Sequence, residues 1–583
     1  MLKNIRSYFY NLKKYQAPLE NFVFPVILLL FPLFGAGAGL DITDTTYSLG
    51  NYQYLGSVND MWLFSTFLSN KVGALMMQLP GAGTMLGFNI YCSFITSAMA
   101  LISYYFLKRF MPGWMIFIGE FIAESICFSP RAILYNYLTY LLLTLGTIFL
   151  IAGLFALERQ ALYLFIAGVF LGMNVMVRFP NLAEAALILI LWFYGYITRD
   201  KFGEVLKKTL ICIGGYVSGF GIVFLGICLG YGGPSRYING IMALFGMTEG
   251  ASDYTSGGMI GAILEAYMTS VTHMLIVIPC MVAGVIMFLL LPERYVFVKK
   301  LLYIGGLLVL VRYYFAKGVF TRNYFYYDCM FQAAMMFIIT GIILCVIGSL
   351  GILNGSRQEQ TLAFAALMMI LITPLGSNNY TFPIMNNMFL IAPIILWLFR
   401  RMMQRAGEKD YNFPWQSFVT TVIIVLVIQG ALFHINFSFY DGADGTVRDA
   451  RADIPKVSSQ VTTSYNAETL NELKQAIDDN DLKNNKVLLY GNVPGLSYVF
   501  DLEPAMDTTW PDLDSYAFSN FHEQLTMLSD AGETPAVIIG KEGIGEGTNT
   551  LKFDDLMDFI DNHDYNKVFE SDRFMIFVST TKE

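Results

Sequence analysis

Long apolar runs dominate the first three quarters of the chain. A helix that crosses about 30 Å of hydrocarbon needs roughly 20 mostly apolar residues. The clearest runs of this kind lie near 22–40, 86–107, 137–157, 161–177, 182–197, 209–230, 271–291, 329–350 and 416–436. Shorter or more polar runs lie near 114–129, 300–316, 361–376 and 387–399. The pattern predicts a polytopic α-helical membrane protein with about thirteen spans.

Beyond residue 440 the pattern changes to that of a small α/β domain. Three short apolar runs predict buried strands, at 486–491, 536–540 and 573–578. Two stretches with amphipathic helical spacing lie between them, at 466–479 and 553–562. The chain is therefore predicted to contain a transmembrane domain, 1–436, and a C-terminal α/β domain, 437–583.

Two loops of the transmembrane part are long. Residues 41–85 contain aromatic and short apolar stretches, which predict interfacial helices on the membrane surface. Residues 231–258 are rich in glycine, serine and tyrosine. This second loop is interpreted either as a mobile lid or as a flexible connector.

Charge changes abruptly where the apolar runs end. The chain is 55% hydrophobic and only 14% charged, whereas soluble domains carry about 25% charged residues. The net charge is +8 over residues 1–440 and -16 over residues 441–583. These values exclude an ordinary soluble enzyme, and they indicate that the first part lies in lipid and the second in water.

The positions of the basic residues predict the orientation. Most of the lysines and arginines before residue 441 fall in loops on the side of the N-terminus, which the positive-inside rule assigns to the cytoplasm. The expected location is the plasma membrane, with the C-terminal domain extracellular or periplasmic. The first apolar run is interpreted as an anchor, because it is long and lacks a small-residue cleavage site. All 7 cysteines lie in or beside apolar runs, so a disulfide framework in the C-terminal domain is excluded.

Two acidic residues follow the first apolar run. Asp41 and Asp44 are three residues apart, so they share a face if this segment is helical. Partial burial and mutual repulsion would raise the pKa of one carboxyl group, as a general base or a proton carrier requires. The alternative is that one of them caps the first interfacial helix.

Arginines occur at the ends of several predicted spans. Arg131, Arg178 and Arg322 are placed on the exterior side, and Arg312 lies within a span. A guanidinium group binds two oxygens of a phosphate at once, so a lipid phosphate is a suitable ligand. The alternative for each arginine is contact with lipid head groups or pairing with Glu184 or Asp328.

A polar turn at residues 376–381 follows another apolar run. Its amide side chains, Asn378 and Asn379, are candidates for binding sugar hydroxyl groups, and a solvated turn is the alternative. The 4 histidines have no metal-ligand spacing.

Several short motifs appear in the order that one family of membrane enzymes has them. Asp44-Thr45-Thr46-Tyr47 resembles the Asp-Glu-x-Tyr motif of that family, and a long loop with surface helices follows it. Next come the aromatic span at 134–142 and the glycine span at 167–172, which runs into Arg178-Phe179-Pro180-Asn181. With the many spans and the terminal α/β domain, the chain resembles the GT-C-fold glycosyltransferases, which include protein O-mannosyltransferases and aminoarabinose transferases.

This resemblance implies an inverting transferase of the cell envelope that takes a sugar from a polyprenyl-phosphate donor at the outer face of the membrane. Asp44 would be the base that deprotonates an acceptor hydroxyl on a glycan, lipid or protein, although Asp41 is a second candidate. Arg178, with Arg131 or Arg322, would hold the phosphate, and Tyr47, Asn181, Asn378 and Asn379 would bind substrate. Metal dependence varies within the class, so no cofactor is certain and a divalent cation, Mg or Mn, stays open.

Other functions fit the same sequence. A transporter or flippase of lipid-linked saccharides also needs many spans and buried polar groups, and Glu120, Glu124 and Glu184 are its candidate residues. A polysaccharide polymerase or ligase would use the same donor in the same compartment. A receptor is disfavoured, because a single span would anchor the C-terminal domain. No nucleic-acid partner is expected.

Overall fold

The computed structural model describes residues 15–127, 131–246, 256–324, 328–407, 415–443, 445–544 and 549–580. Most of the described chain before residue 437 is helical. The helices are α1 (Tyr15–Leu33), α2 (Asp44–Gln53), α3 (Asp60–Ser65), α4 (Phe67–Met76), α5 (Met85–Leu107), α6 (Gly113–Ile126), α7 (Leu134–Phe155), α8 (Gln160–Val177), α9 (Phe179–Thr198), α10 (Phe202–Gly230), α11 (Pro234–Gly246), α12 (Ser256–Leu275), α13 (Val277–Leu290), α14 (Val296–Ala316), α15 (Phe331–Ser349), α16 (Arg357–Ile372), α17 (Phe382–Asn386), α18 (Ile391–Gly407) and α19 (Trp415–Asn436).

Within the described ranges, 9 helical segments are long and apolar enough to cross a membrane, and they correspond one to one to the nine clearest apolar runs. The four weaker runs also form helices, namely α6, α14, α16 and α18. Helices α6, α16 and α18 have only 14, 16 and 17 residues, and α14 contains Lys299, Lys300 and Arg312. The predicted count of about thirteen spans is therefore not confirmed by length and composition.

The first span ends earlier than predicted. Helix α1 stops at Leu33, whereas the apolar run continues to residue 40. Gly35 and Gly39 have φ values of +76° and +84°, which glycine adopts at low cost and which a right-handed helix does not contain. The chain therefore leaves the helix before Asp41, and residues 34–40 are free to pair with other segments.

Helices α8 and α10 pack through facing glycines. A Cβ atom added at Gly168 would lie 2.0 Å from the carbonyl oxygen of Cys212, and one added at Gly172 would lie 2.0 Å from that of Tyr216. Small residues four positions apart let two membrane helices approach closely. This contact fixes the helix that ends at Arg178.

The loop at 231–258 is partly helical. Helix α11 occupies its first half, and Arg236 forms an ion pair of 2.7 Å with Asp60 of α3. The described part of this loop is thus a helix packed on the first loop, and residues 247–255 lie outside the described residues.

The C-terminal domain has a four-stranded sheet. Its strands are β1 (Val487–Tyr490), β2 (Ala536–Gly540), β3 (Tyr565–Glu570) and β4 (Phe574–Ser579), and its helices are α20 (Ser464–Asp479), α21 (Leu496–Phe500), α22 (Phe518–Ala531) and α23 (Asn549–Asn562). The spatial order is β1-β2-β4-β3, with β1 and β2 parallel and the other pairs antiparallel. The three predicted strands and two predicted helices are present, whereas β3, α21 and α22 were not predicted.

The first loop and the C-terminal domain share one hydrophobic core. Leu40, Ile42 and Leu49 belong to the same buried cluster as Leu489 of β1 and Leu496 of α21. Backbone hydrogen bonds join the two parts as well, from Gly39 to Val461 at 2.7 Å and from Val461 to Gly37 at 2.8 Å. The C-terminal domain is therefore packed directly on the segment that carries Asp41 and Asp44.

Candidate functional site

The side chain of Asp41 accepts hydrogen bonds from residues two and four positions further along the chain. Its side chain is 1% exposed, and its Oδ1 accepts hydrogen bonds from the backbone N–H of Thr43 at 2.8 Å and from Thr43 Oγ1 at 2.5 Å. Its Oδ2 accepts the backbone N–H of Thr45 at 2.7 Å. These groups precede and begin α2, so Asp41 satisfies backbone N–H groups that the helix itself leaves unpaired.

Asp44 is the first residue of α2, and its carboxylate accepts fewer hydrogen bonds than that of Asp41. Among the described residues, the only hydrogen-bond donor to its carboxylate is its own backbone N–H. Burial raises the pKa of this half-buried group to about 7, and repulsion by Asp41 adds to the shift. A carboxylate with this pKa is a suitable proton acceptor near neutral pH.

Asp44 lines a cleft of about 640 Å³ between the first loop and the C-terminal domain. The opposite wall is formed by residues far away in the sequence, including Tyr440, Tyr465, Trp510 and Arg573. A volume of this size is within the range of about 300–1,000 Å³ that small-molecule sites have. The cleft is therefore the candidate site around the predicted base.

Tyr47 contacts the C-terminal domain. Its ring packs edge to face against Trp510, with the centroids 5.3 Å apart, and its hydroxyl hydrogen-bonds with Asn51 and Thr508. Tyr47 is not among the residues that line the cleft. In this structure it supports Trp510, which does line the cleft.

Arg131 is held by protein groups. One terminal nitrogen donates a hydrogen bond of 2.8 Å to the carbonyl of Phe34 and lies 3.4 Å from His434 Nε2, and the other lies 3.4 Å from Ser93 Oγ. It lines a cavity of about 60 Å³ together with Asp41. Its terminal nitrogens therefore already have protein partners, and its role in holding a phosphate stays a prediction.

Arg178, a predicted phosphate ligand, contacts the predicted polar turn at residues 376–381. Its Nη2 donates a hydrogen bond of 2.9 Å to the carbonyl of Gly376, the first residue of the predicted polar turn, and its guanidinium lies over the Tyr135 ring. Asn378 is half-buried and Asn379 is exposed in the same turn. The pairing of Arg178 with Glu184, considered from the sequence, is replaced by this carbonyl contact.

Asn181 belongs to a buried hydrogen-bond network. Its Nδ2 donates to Thr139 Oγ1 at 2.7 Å and to the carbonyl of Asn174 at 3.0 Å. The side chain of Asn174 donates in turn to both carboxylate oxygens of Glu184, at 2.9 and 2.8 Å. Asn181 therefore holds the segment after Arg178 in place, and Glu184 has a neutral partner rather than an arginine.

Arg322 is exposed, with its guanidinium 5.7 Å from the Phe315 ring centroid. Its neighbour Thr321 donates its backbone N–H to Gln429 of α19 at 2.9 Å. The loop with Arg322 is thus attached to the helix that carries His434, the contact of Arg131.

The short helices of the first loop contact the two turns that contain Arg131 and Arg178. Tyr52 Oη of α2 donates to the carbonyl of Ala132 and accepts the backbone N–H of Leu134, at 3.0 and 3.1 Å, beside Arg131. Ser69 Oγ of α4 lies 3.4 Å from the carbonyl of Val177, beside Arg178. Both arginine turns therefore contact helices of the first loop, but neither Arg131 nor Arg178 is among the residues that line the cleft at Asp44.

The residues near Asp41 do not fit a divalent cation. Within the described ranges there is no group of three or more His, Cys, Asp or Glu side chains that could hold a metal ion. Both oxygens of Asp41 are directed at N–H or O–H donors, which would have to move before a cation could bind them.

Sequence reasoning missed the cleft residues of the C-terminal domain. Arg573 precedes β4, and its Nη1 hydrogen-bonds to Asn466 Oδ1 and to Thr469 Oγ1 at 3.2 Å. Glu542 follows β2, and its Oε1 accepts a hydrogen bond of 3.3 Å from Tyr465 Oη. The available signal was that Glu542 lies two residues after one predicted strand and Arg573 begins another, because residues at strand ends and in the adjoining loops often bind ligands.

Comparison with known proteins gives matches in structure alone. No protein-family model and no curated protein sequence matches the chain. An oligosaccharyltransferase from Archaeoglobus fulgidus, solved as a complex with Zn and sulfate, aligns with 89% of this chain and 68% of its own, at 11% identity and a TM-score of 0.48. Its form tethered to an acceptor peptide aligns with 90% of this chain and 70% of its own, at 10% identity and a TM-score of 0.49.

A second protein matches over nearly its full length. ArnT from Cupriavidus metallidurans, solved with undecaprenyl phosphate bound, aligns with 96% of this chain and 97% of its own, at 9% identity and a TM-score of 0.51. At this identity the likeness concerns the fold. The resemblance to GT-C-fold membrane proteins that the sequence motifs suggested is thereby confirmed for the architecture.

Proposed function

We propose that the protein is a membrane glycosyltransferase that transfers a sugar, with inversion, from a polyprenyl-phosphate donor to an acceptor hydroxyl at the outer face of the membrane. The fold likeness to ArnT supports the general class, and the undecaprenyl phosphate bound to that protein suggests the donor type. The orientation rests on the positive-inside rule, which places the N-terminus in the cytoplasm.

The observation that carries the proposal is the state of Asp44. Asp44 is a half-buried carboxylate with a pKa of about 7, and no other residue in the described ranges donates a hydrogen bond to it. It lines a cleft of about 640 Å³ in the loop that follows the first membrane helix. Asp41 is engaged by Thr43 and Thr45, so the assignment of the base between the two acids favours Asp44.

In the proposed reaction Asp44 accepts the proton of the acceptor hydroxyl while the acceptor oxygen forms a bond to the anomeric carbon. The bond between that carbon and the phosphate oxygen breaks, and its electron pair leaves with the polyprenyl phosphate. Attack from the side opposite the phosphate inverts the anomeric configuration. One base is sufficient for this reaction, whereas retention requires a second carboxylate as nucleophile.

Arg178 is the first choice for the phosphate. Its Nη2 donates a hydrogen bond to the carbonyl of Gly376. The positive charge of the guanidinium would neutralise the leaving phosphate and so lower the barrier to its departure. Arg131, whose terminal nitrogens contact Phe34, Ser93 and His434, is a second contributor, and exposed Arg322 is a peripheral one. Asn378 and Asn379 would contact the sugar from the turn that Arg178 holds.

The test is mass spectrometry of lipids that co-purify with the wild type, with Asp44→Asn and with Asp478→Asn. Asp478 forms an exposed pair with Lys483 and serves as the control. We expect all three to carry a polyprenyl-phosphate sugar, which the wild type and the control consume when acceptor extract is added and Asp44→Asn does not. Full consumption by Asp44→Asn would exclude Asp44 as the base.

One observation favours transport of lipid-linked saccharides as a second candidate. Glu120 and Glu124 are fully buried in α6, and within the described residues both oxygens of Glu124 and Oε2 of Glu120 have no hydrogen-bond partner. Buried acids at membrane depth mark ion or proton pathways in transporters. Flux of a lipid-linked saccharide in proteoliposomes that stops in Glu124→Gln and continues in Asp44→Asn would establish this function.

A further inference from the structure

We infer that the cleft beside Asp44 binds an uncharged glycan as the acceptor. This inference rests on the proposed function and adds the chemical class of the acceptor. It is carried by the aromatic side chains, the balance of charges and the fixed walls of the cleft, all of which belong largely to the C-terminal domain.

Aromatic side chains are available on the walls. Tyr440 and Tyr465 are 63% and 48% exposed, and Trp510 is half-buried, with Tyr47 packed against it edge to face. All three line the cleft. The C–H faces of a pyranose ring pack against aromatic faces. The hydroxyl of Tyr465 donates a hydrogen bond of 3.3 Å to Glu542 Oε1.

The charges of the cleft do not favour an anionic acceptor. Among the described lining residues, Arg573 is the only cation. Its guanidinium hydrogen-bonds with Asn466 and Thr469, and its Nε lies 3.9 Å from Glu542 Oε2. The cleft also contains Asp44 and Glu542, and the domain has a net charge of -16 over residues 441–583. An acceptor with several carboxylates or phosphates would meet repulsion.

The position of the cleft in the sheet is that of a small-ligand site. Gly491 and Asn492 follow β1, and Glu542 follows β2, so the cleft lies at the carboxyl ends of the two parallel strands. Ligands of open sheets with parallel strands bind at these ends. β2 is paired with β1 and β4 on its two sides, and the outer side of the edge strand β1 is hydrogen-bonded to Glu503 and Ala505 at Val487.

Buried polar groups fix the wall around Trp510. Lys552 is 1% exposed, and its Nζ donates hydrogen bonds of 2.9 Å to the carbonyls of Pro511 and Leu513. Asp512 accepts the backbone N–H of Asn492 at 2.6 Å. Two segments of the wall that the C-terminal domain forms are thus tied to each other, which reduces the ordering cost when a ligand binds.

The test is binding without donor, so that it is independent of transfer. The full chain in lipid nanodiscs is titrated, by calorimetry and tryptophan fluorescence, with neutral tetrasaccharides of glucose, galactose and N-acetylglucosamine. A tetragalacturonate and a serine- and threonine-containing octapeptide are the comparison probes. Tyr440→Ala and Trp510→Ala are the test variants. Tyr196→Ala, which removes an 81% exposed tyrosine near the far end of α9, is the control.

We expect saturable binding of at least one neutral tetrasaccharide, weakened about tenfold or more in Tyr440→Ala and Trp510→Ala and unchanged in Tyr196→Ala. Tyr440 is more exposed than Trp510, so its variant keeps the test valid if Trp510→Ala does not fold. Binding of the peptide or the anionic tetrasaccharide instead, or of no saccharide at millimolar concentration, would overturn the inference.

The two proposals fail separately. Saccharide binding without any Asp44-dependent consumption of a lipid-linked sugar would leave the glycan site standing and remove the transferase. Asp44-dependent transfer to a peptide, without saccharide binding, would keep the transferase and remove the glycan acceptor.

Discussion

Gly495 donates its backbone N–H to the carbonyl of Ile42 at 2.9 Å, and there is no space between them for a side chain. A Cβ atom at Gly495 would lie 1.7 Å from Thr46 Oγ1 and 2.5 Å from the carbonyl oxygen of Ile42. Thr46 is on α2, one turn or less from Asp44. The site therefore depends on close contact between the C-terminal domain and the first loop.

Gly495→Ala is expected to loosen this contact while the membrane helices remain folded. We expect faster limited proteolysis of the C-terminal domain and a fall in transfer activity of about tenfold or more, because the wall of the cleft moves away from Asp44. Gly56→Ala is the matched control, since a Cβ atom there has no neighbour within 4 Å. Equal protease resistance of the two variants would contradict the prediction.

Transfer activity is expected to rise with pH through a midpoint near 7. The pKa of Asp44 is raised to about 7 by burial, so the carboxylate is protonated and inactive as a base below this pH. Rates are measured in wild type from pH 5 to 9. Asp44→Asn should lower the rate about 10²–10⁴-fold and abolish the midpoint; a retained midpoint would assign it to another group.

The same pKa shift predicts that Asp44 destabilises the folded protein at neutral and alkaline pH. The pKa of Asp44 in the folded state is above the ordinary value of 3.8. The folded protein therefore binds the proton more tightly than the unfolded chain, and the stabilisation from this proton is complete below pH 4 and is lost as pH rises to about 7. Asp44→Asn should therefore melt at about 1–3 °C higher temperature than wild type at pH 8, with a smaller difference at pH 4. An equal difference at both pH values would contradict this reasoning.

Asp41 is expected to act on stability more than on chemistry. An asparagine in its place directs an NH₂ group at the N–H of Thr43 or Thr45, whichever way the amide is turned. We expect Asp41→Asn to cost about 1–3 kcal/mol of unfolding free energy. Thermal melts of Asp41→Asn and Asp44→Asn at pH 8 should thus shift in opposite directions, and a shift in the same direction would refute the division of roles.

Arg178 is expected to set the affinity for the lipid phosphate. Lysine keeps the charge but loses the planar fork that binds two phosphate oxygens. Arg178→Lys should weaken binding of undecaprenyl phosphate about tenfold or more, measured by native mass spectrometry in a detergent titration. Arg322→Lys should change it less than threefold, because Arg322 is exposed and peripheral; equal losses would place the phosphate elsewhere.

The membrane helices could be predicted from the sequence because each one corresponds to a single long apolar run. The nine clearest runs all form membrane-length helices, whereas the early end of α1 depends on two glycines inside an apolar stretch. Strand β3 was missed because all six of its residues are only partly buried or exposed and several are polar, which is typical of an edge strand and gives no clear alternation.

The two acids could be identified from the sequence, but their roles could not be separated. The distinction depends on which oxygens accept the N–H groups of Thr43 and Thr45, and this follows from the turn before α2 rather than from residue type. Trp510 and Arg573 could not be connected with Asp44 at all, because contacts over more than 400 residues of sequence leave no local pattern.

The pairing of Gly37 and Gly39 with Val461 also has a consequence for synthesis in the cell. Asp44 leaves the ribosome early, and Trp510 and Arg573 follow several hundred residues later, after the last membrane helix. At about 5–20 residues per second this interval lasts tens of seconds. During that time the nascent chain carries Asp44, the proposed base, without the opposite wall, so we expect premature release of the chain to yield an inserted but inactive protein.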